Sequence, residues 1–473
     1  MATLSGYTPP FNVKRIAIIG SGPSGLASFK YLKAEHAFER IDVYEQQNTS
    51  GGVWNYADGH GSKDSSTSSD GAKPIFSRKV EEKSHNLFVT TAMYDRMITN
   101  LPKQLMEFSD HKFGEEVNLF PARQIVRSHL KDYAKEVNPF VKYSTKVVGI
   151  SLHKIDGQDR WNVDSCNLKD GTSDVCRIEY DAVVVAIGNY NSPFIPFVPG
   201  LKAFDAAYPG SVTHSMSYTK PDKFAGQKVI VIGGGPSGMD ISSQICHYSS
   251  LPLLFSIREP SNPAMLNEQQ HRRKEMFPIA EFIIEDRAVL FEDGTMERNI
   301  DAVIFRSGYL YSYPFLRNLQ PPIITDGSRV HGLYEHVFHT AHPTIAFLGL
   351  PVKVAPVPVS ETQAAVIARV WSNRLRLPQK AYMDNWERLK MEENGSGRSF
   401  HQLPYPLDAN YVKDLQEWAR TASSGSGGKP VPVWSESLSR ISRHFMSVRE
   451  AYVENGSQAV SLKDLGFYLE TQN

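Results

Sequence analysis

The stretch RIAIIGSGPSG at residues 15–25 decides the fold, and it returns in almost the same form as KVIVIGGGPSG at residues 228–238. Each copy is an apolar run typical of a buried β-strand, followed at once by the pattern GxGxxG. A strand that turns sharply into a helix needs glycine at the turn, and the helix N-terminus then presents free N–H groups to a pyrophosphate. One copy alone is a weak signal, but two matched copies predict a protein that holds two dinucleotides.

The three glycines of each copy have different roles. The first permits the tight turn, the second lets the backbone approach the phosphates, and the third lets the helix pack closely on the strand. The candidate dinucleotide-binding residues are Gly20, Gly22, Pro23, Ser24 and Gly25 in the first turn, and Gly233, Gly235, Pro236, Ser237 and Gly238 in the second.

The residue at the end of the next strand indicates which dinucleotide each turn binds. Glu45 follows the strand after the first turn, and a carboxylate there accepts hydrogen bonds from ribose hydroxyls, which fits FAD or NAD. Arg258 follows the strand after the second turn, and a guanidinium there favours the extra phosphate of NADP. The first site is therefore predicted to bind FAD and the second NADPH. Glu259 could neutralise Arg258, and the phosphate contact could come instead from Arg272, Arg273 or Lys274.

Composition excludes several classes of function. Lys and Arg together number 51 and so do Asp and Glu, so no net charge attracts the chain to nucleic acid or to an anionic membrane. The three cysteines form no CxxC pair and no disulfide framework, which indicates a reducing compartment. Neither a secretory signal nor an apolar stretch of membrane-spanning length is present. We therefore expect a soluble, cytoplasmic protein without a metal site.

The order of elements predicts an α/β fold with two Rossmann-like dinucleotide-binding domains, the NADPH domain being inserted into the FAD domain. The strand at 181–188 ends in glycine and is followed by prolines, which suggests a crossing between domains. The strand at 300–305 mirrors it and is interpreted as the return. The expected FAD domain comprises 1–195 and 306–473, and the expected NADPH domain comprises 196–305.

Other segments are predicted from periodicity and composition. They are an amphipathic helix at 124–136, paired strands within 143–168, an amphipathic helix at 361–375, a mobile polar loop at 61–73, and a flexible connector at 423–428 before a short helical tail.

With these motifs in place, the chain resembles the flavin-containing monooxygenases, the single-component class B enzymes that oxygenate nitrogen and sulfur, and especially their yeast-type soluble members. The defining motif FxGxxxHxxx(Y/F) reads YPGSVTHSMSY at 208–218, with Tyr208 in place of the opening Phe. Further matches are GGVWNY at 51–56, TNLP at 99–102, SGY at 307–309, and the segment 356–363.

The resemblance implies FAD and NADPH as cofactors and a reaction of O2 through a C4a-hydroperoxyflavin with a small-molecule amine or sulfur substrate. It implies a catalytic role for Asn100 beside the flavin ring and the nicotinamide. It assigns His214 and Tyr218 mainly structural roles at the hinge between the domains. The further positions that it places against FAD are Gly52, Val53, Trp54, Val147 and Gln363.

Other functions fit part of the pattern. A Baeyer–Villiger ketone monooxygenase shares both turns but usually carries Trp where this chain has Tyr218. A flavin disulfide reductase needs a redox cysteine pair. An NADPH oxidase would keep both cofactor sites, whereas intact cofactor motifs at both sites speak against a non-catalytic nucleotide sensor or scaffold. By base rate alone, the expected oligomer is a homodimer.

Overall fold

The computed structural model describes residues 6–56, 91–169, 174–259, 272–425 and 427–469. The predicted loop at 61–73 lies outside these residues. The fold is a mixed α/β architecture with one mostly parallel sheet, one fully parallel sheet and smaller antiparallel ones. The α-helices within the described residues are α1 (Pro23–Ala34), α2 (Arg123–Tyr133), α3 (Leu201–Ala207), α4 (Pro236–Ile245), α5 (Pro356–Trp371), α6 (Lys380–Asn394), α7 (Leu407–Arg420) and α8 (Glu436–Glu454).

The strands of the first half of the chain are β1 (Arg15–Ile19), β2 (Arg40–Tyr44), β3 (Val141–Lys142), β4 (Thr145–Ile155), β5 (Gln158–Asn167), β6 (Val175–Tyr180), β7 (Ala182–Val185), β8 (Ser192–Pro193), β9 (Val212–His214) and β10 (Val229–Ile232). Those of the second half are β11 (Leu253–Ser256), β12 (Arg273–Met276), β13 (Ile279–Ile283), β14 (Ala288–Phe291), β15 (Met296–Glu297), β16 (Ala302–Phe305), β17 (Tyr309–Leu310), β18 (Leu333–Tyr334), β19 (Phe338–His339) and β20 (Ile345–Phe347).

The larger sheet has the strand order β18-β19-β20-β7-β1-β2-β3. Its pairings from β20 across to β3 are parallel, and the β18–β19–β20 edge is antiparallel. β1 and β7 are runs of small and branched apolar residues with almost no solvent exposure, as expected for strands covered on both faces. The turns after β1, β2, β7 and β20 therefore lie at one edge of this sheet, its carboxyl edge.

The second sheet has the order β12-β11-β10-β16-β9, and all of its pairings are parallel. All five strands fall within 212–305, between β7 and β20 of the larger sheet along the chain. β16 takes the same place beside β10 that β7 takes beside β1. The turns after β9, β10, β11 and β16 form the carboxyl edge of the second sheet.

A short antiparallel ribbon joins the two sheets. β8 on the outgoing chain pairs with β17 on the returning chain, and the Phe194 N–H donates to the Gly308 carbonyl at 2.9 Å. Beyond the ribbon, the ring of Tyr190 packs edge-to-face on Tyr309 with centroids 5.4 Å apart. β8 follows β7 from the carboxyl edge of the larger sheet, and β17 follows β16 from the carboxyl edge of the second sheet.

Several predicted elements are confirmed, with shifted ends. The predicted helix at 124–136 is α2, and the paired strands within 143–168 are β4 and β5. The helix predicted at 361–375 begins five residues earlier, at Pro356, and the expectation that it is amphipathic is wrong. Every residue of α5 after Pro356 is buried, because the helix packs between α1 and α7. The helical tail is not short, since α8 spans 19 residues.

Candidate active site

The first glycine-rich turn is built so tightly that side chains are excluded at two positions. Gly20 has a φ of 103°, which L-residues rarely adopt, and a Cβ there would lie 2.5 Å from the Ala186 carbonyl oxygen. A Cβ on Gly25 would lie 1.9 Å from the Gly20 carbonyl oxygen. Gly20 thus permits the turn, and Gly25 permits the contact between helix and strand.

At Gly22, by contrast, the surrounding protein leaves enough space for a side chain. A Cβ on Gly22 would meet the backbone of Gly52 at ordinary contact distances, 3.5 Å from its Cα and 3.9 Å from its nitrogen. The segment containing Gly52, Val53 and Trp54 forms a single 3-10 turn alongside, and the Gly51 N–H donates to the Ser21 carbonyl at 3.0 Å. Trp54 is partly buried against the main core. These residues make a shallow cradle over the start of α1.

Two helices begin at this cradle without side-chain caps. α1 starts at Pro23 after Gly22, and α5 starts at Pro356 after Ala355. Their first turns are linked because the hydroxyls of Ser24 and Ser360 are 2.8 Å apart. Uncapped N–H groups and the positive ends of two helices therefore converge, an arrangement that favours an anion or an electron-rich ring.

Gln363 is fully buried two turns into α5. Its Oε1 accepts from the Gly349 N–H and its Nε2 donates to the Tyr411 hydroxyl, both at 2.9 Å. The side chain amide therefore fixes the turn after β20 against the start of α1, where a Cβ on Gly349 would lie 2.9 Å from the Ser24 hydroxyl.

Glu45 directly follows β2 at the same edge and is buried. One carboxylate oxygen accepts from the Ser21 N–H at 2.8 Å and from the Ser21 hydroxyl at 3.0 Å, and the other accepts from the Gln47 N–H at 2.9 Å. Burial raises the pKa of the Glu45 carboxyl, and these three donors oppose the rise. The Thr145 N–H bonds to the Glu45 carbonyl, which brings the start of β4 and the buried Val147 to this edge.

Asn100 lies apart from the turn, in the segment that precedes Leu101 and Pro102. No hydrogen bond of its side chain is present among the described residues, whereas the flanking Thr99 is fixed through its hydroxyl and its carbonyl. The carbonyl of Thr99 accepts from Arg449 of α8. The same guanidinium lies 3.6 Å from Asp240 of α4, so Arg449 ties the Asn100 segment to the second sheet.

The second turn repeats the geometry of the first. Gly233 has a φ of 115°, and a Cβ on Gly238 would lie 2.0 Å from the Gly233 carbonyl oxygen. α4 starts at Pro236 with no side-chain cap and no acidic residue in its first turn. Ser237 is partly buried. The difference is at Gly235, where a Cβ would lie 2.2 Å from Nη1 of Arg306.

Of the basic residues considered for a phosphate contact, Arg258 is the one that the structure leaves exposed with no ion-pair partner among the described residues. Arg272 donates to the Cys246 carbonyl, and Lys274 pairs with Glu297 at 2.8 Å. Arg273 is buried and donates to the Ser242 hydroxyl at 2.9 Å. The ion pairs of the described residues do not include one between Glu259 and Arg258.

His214 belongs to the joint between the sheets. Its Nε2–H donates to the Gly308 carbonyl at 3.1 Å, and its Nδ1 accepts from the Met216 N–H. Burial lowers the pKa of His214 to about 4, so the ring is neutral near pH 7. Tyr218 is buried and donates to Gln244 at 3.0 Å. Both residues hold neighbouring elements together.

Comparison with known proteins identifies the family. The family model described as "FMO-like: Flavin-binding monooxygenase-like" matches residues 13–262 and 278–429. The chain belongs to the flavin-binding monooxygenase family. It is an oxidoreductase, a flavin-dependent monooxygenase that uses FAD and NADPH.

Three relatives illustrate the match. The flavin-containing monooxygenase FMO GS-OX-like 2 of Arabidopsis thaliana is 30% identical over 88% of this chain and 86% of its own length. The thiol-specific monooxygenase of Saccharomyces cerevisiae is 30% identical over 90% of each chain. The structure of S-allyl-L-cysteine S-oxygenase from Allium sativum aligns with a TM-score of 0.78 at 25% identity over 96% of each chain.

The residues present at the first turn fit FAD. The space at Gly22, the two uncapped helix starts and the Glu45 carboxylate suit the pyrophosphate and ribose of FAD.

Among the described residues, no helix has both the length and the apolar character to cross a bilayer, and no three metal-ligating side chains cluster.

Sequence reasoning missed three residues of this region. Asp240 and Arg449 connect distant segments, and no local motif marks them. Arg306 follows β16 as Ala186 follows β7, and an alignment of the two βαβ units would have revealed it.

Proposed function

We propose that this enzyme binds FAD at the 20–25 turn and NADPH at the 233–238 turn, and that it oxygenates a soft nucleophile. The FAD domain then comprises 1–195 and 306–473, and the NADPH domain comprises 196–305, both of Rossmann type. The observation that carries the proposal is the pair of glycine-rich turns at the carboxyl edges of two parallel sheets, where dinucleotides bind in open α/β folds.

Opposite charges beside the two turns support this assignment. Glu45 is a hydrogen-bond acceptor for ribose hydroxyls and repels a 2′-phosphate, whereas the exposed Arg258 attracts one. Each lies at the end of the strand next to its turn. FAD therefore fits the first site and NADPH the second.

The substrate that we propose is a thiol or thioether, with amines as the second class. The support comes from the relatives, which include a thiol-specific monooxygenase and an S-allyl-L-cysteine S-oxygenase. Divalent sulfur is a soft nucleophile and needs no general base for attack on an activated oxygen.

When bound at the first turn, FAD would supply the chemistry that this family requires, acceptance of hydride from NADPH and activation of dioxygen. The residues of the chain bind and orient the cofactors. The N-termini of α1 and α5 stabilise negative charge beside them, and Gln363 keeps the turn at Gly349 in place. The Asn100 amide has no other hydrogen bond among the described residues, so it is available to donate to the nicotinamide or to oxygen. Partly buried Trp54 helps to exclude water.

Rapid mixing tests the proposal. The purified yellow protein is reduced with NADPH without oxygen and then mixed with oxygenated buffer, in the presence or absence of a small thiol or thioether. We expect a near-ultraviolet absorbance that persists until sulfur substrate is added, followed by formation of the oxygenated product. Immediate return of the oxidised flavin spectrum with stoichiometric peroxide, unchanged by thiols, thioethers and amines, would make the protein an NADPH oxidase.

A further inference from the structure

Arg306 occupies a defined place in the second βαβ unit. It is the first residue after β16, and its N–H donates to the Ile232 carbonyl at 2.9 Å. In the first unit the same place belongs to Ala186, whose N–H donates to the Ile19 carbonyl at 2.9 Å. The backbones correspond, so the two units differ here by one long cationic side chain.

The side chain of Arg306 runs across the glycine-rich turn. A Cβ on Gly238 would lie 3.1 Å from its Cδ, and a Cβ on Gly235 would lie 2.2 Å from Nη1 and 3.2 Å from Cζ. The absence of a side chain at Gly235 therefore makes room for the guanidinium in this structure. Gly235 is also the glycine at which the fingerprint brings a pyrophosphate closest to the backbone.

The charge at this place lacks a partner. No carboxylate pairs with the Arg306 guanidinium among the described residues, and its electrostatic neighbours include Tyr94, Tyr190, Tyr309 and His214. Burial lowers the pKa of Arg306. The guanidinium also lies at the positive end of α4, whose first turn holds no acidic residue. Two positive groups facing the same space are unfavourable unless an anion lies between them.

We propose that Arg306 is an anion-binding residue of the second turn and that its guanidinium pairs with the pyrophosphate of NADPH. The inference rests on the proposed function, which places NADPH at 233–238. The pyrophosphate is the partner, rather than the 2′-phosphate, because Arg306 lies over Gly235, whereas the 2′-phosphate belongs at the end of β11 beside Arg258. A guanidinium that forks onto phosphate oxygens supplements the N–H groups of α4.

The test compares Arg306→Ala, which copies Ala186, with Arg306→Lys and with Arg258→Ala as the matched control. Binding of NADP+ and of NAD+ to the oxidised, FAD-loaded enzyme is measured by calorimetry, and flavin content and melting temperature report folding. We expect Arg306→Ala to lower the affinities for NADP+ and for NAD+ by a similar factor, about 10- to 100-fold. Lysine should restore part of this loss, since it keeps the charge but not the fork.

Arg258→Ala should lower the affinity for NADP+ but not the affinity for NAD+, because NAD+ has no 2′-phosphate. If Arg306→Ala leaves NADP+ binding unchanged or tightens it, the guanidinium is neutral to the ligand or obstructs it, and the inference is overturned. A loss confined to NADP+ would instead assign Arg306 to the 2′-phosphate and also overturn it. Should the alanine variant not fold, the Arg306→Lys and Arg306→Gln variants give the same comparison.

Gly235→Val separates this inference from the proposed function. A branched side chain there obstructs both the guanidinium and any pyrophosphate, so NADP+ binding should be lost while FAD is retained. If NADP+ still binds Gly235→Val and Arg258→Ala normally, NADPH does not bind this turn and the proposed function fails. If both variants lose binding but Arg306→Ala does not, the inference about Arg306 alone fails.

Discussion

The two glycine-rich turns share one backbone and differ in charge. In both, the first glycine has a positive φ. A Cβ added to the third glycine would lie no more than 2.0 Å from the carbonyl oxygen of the first glycine. Beside the first turn are a buried carboxylate, Glu45, and a small residue, Ala186. Beside the second are two guanidinium groups, Arg258 and Arg306. On the proposed function, the backbone selects dinucleotides as a class, while the side chains that follow the neighbouring strands select among them.

The largest expected effect comes from placing a methyl group at the third glycine of each turn. Gly25→Ala forces a Cβ to within 1.9 Å of a backbone carbonyl oxygen, and Gly238→Ala forces one to within 2.0 Å, so neither can be accommodated without moving the turn. We expect Gly25→Ala to be isolated without FAD. Gly238→Ala should keep FAD and lose NADP+ affinity more than about 100-fold, since the helix can no longer meet the pyrophosphate.

The flavin-to-protein absorbance ratio and NADP+ calorimetry measure the two effects. Equal loss of flavin in both variants would contradict the separation of the two sites.

A smaller effect is expected at Arg258. Replacing it with alanine removes an exposed guanidinium from the end of β11, so the KM for NADPH should rise about 10- to 50-fold while the KM for NADH stays the same. Steady-state oxidation of the two nucleotides measures this. Lys274→Ala is the matched control, because Lys274 pairs with Glu297 and should not matter. A rise in both KM values for Arg258→Ala would show that Arg258 does not distinguish the nucleotides.

Asn100 belongs to neither turn and should therefore separate binding from oxygenation. Asn100→Ala is expected to keep FAD and to bind NADP+ within about 3-fold of wild type, because no described hydrogen bond of the protein depends on the amide. Oxygenation should fall about 10-fold or more, with NADPH consumption diverted to hydrogen peroxide. Product and peroxide are measured per NADPH consumed, and unchanged coupling would refute the role.

The last expected effect is on stability rather than on binding or oxygenation, and it concerns the joint between the turns. Burial holds the pKa of His214 near 4, below the unfolded value of about 6.5. The unfolded chain therefore binds a proton in this window that the folded chain does not, and the free energy of unfolding falls as the pH drops through it. Between pH 7 and 5 this group should contribute a loss of about 2 kcal/mol.

The measurement is denaturant unfolding of wild type and of His214→Gln at both pH values. The variant should have a lower free energy of unfolding than wild type at pH 7. Its free energy of unfolding should fall less between pH 7 and pH 5. Parallel losses in the two proteins would mean that His214 is not held neutral by the fold.

The parts of the fold that sequence predicted are those set by local chemistry. Continuous apolar runs followed by glycine specify β1, β10 and the helices after them, and alternation specifies β4 and β5. Burial of α5 on all sides was not predicted, because it depends on α7, which is far along the chain and carries no motif. The length of α8 was underestimated for the same reason, because this helix also carries no motif.

The candidate site divides in the same way. Position within a motif was enough to nominate Glu45 and Arg258, since both end a strand next to a glycine-rich turn. It could not reveal that the Gln363 amide is already engaged by Gly349 and Tyr411, or that Arg449 reaches both Thr99 and Asp240. Contacts between residues separated by tens to hundreds of positions leave no periodic trace in one sequence.

The pairing of β8 with β17 has a topological consequence. Opposed residues of an antiparallel pair lie about 5 Å apart, so the chain leaves the larger sheet and returns to it at neighbouring points. The whole of 194–308 is therefore a closed excursion, and removing it would leave two ends that a short peptide could join. The proposed NADPH domain is organised like a cassette, the arrangement that insertion of one segment into an older one-nucleotide protein would produce.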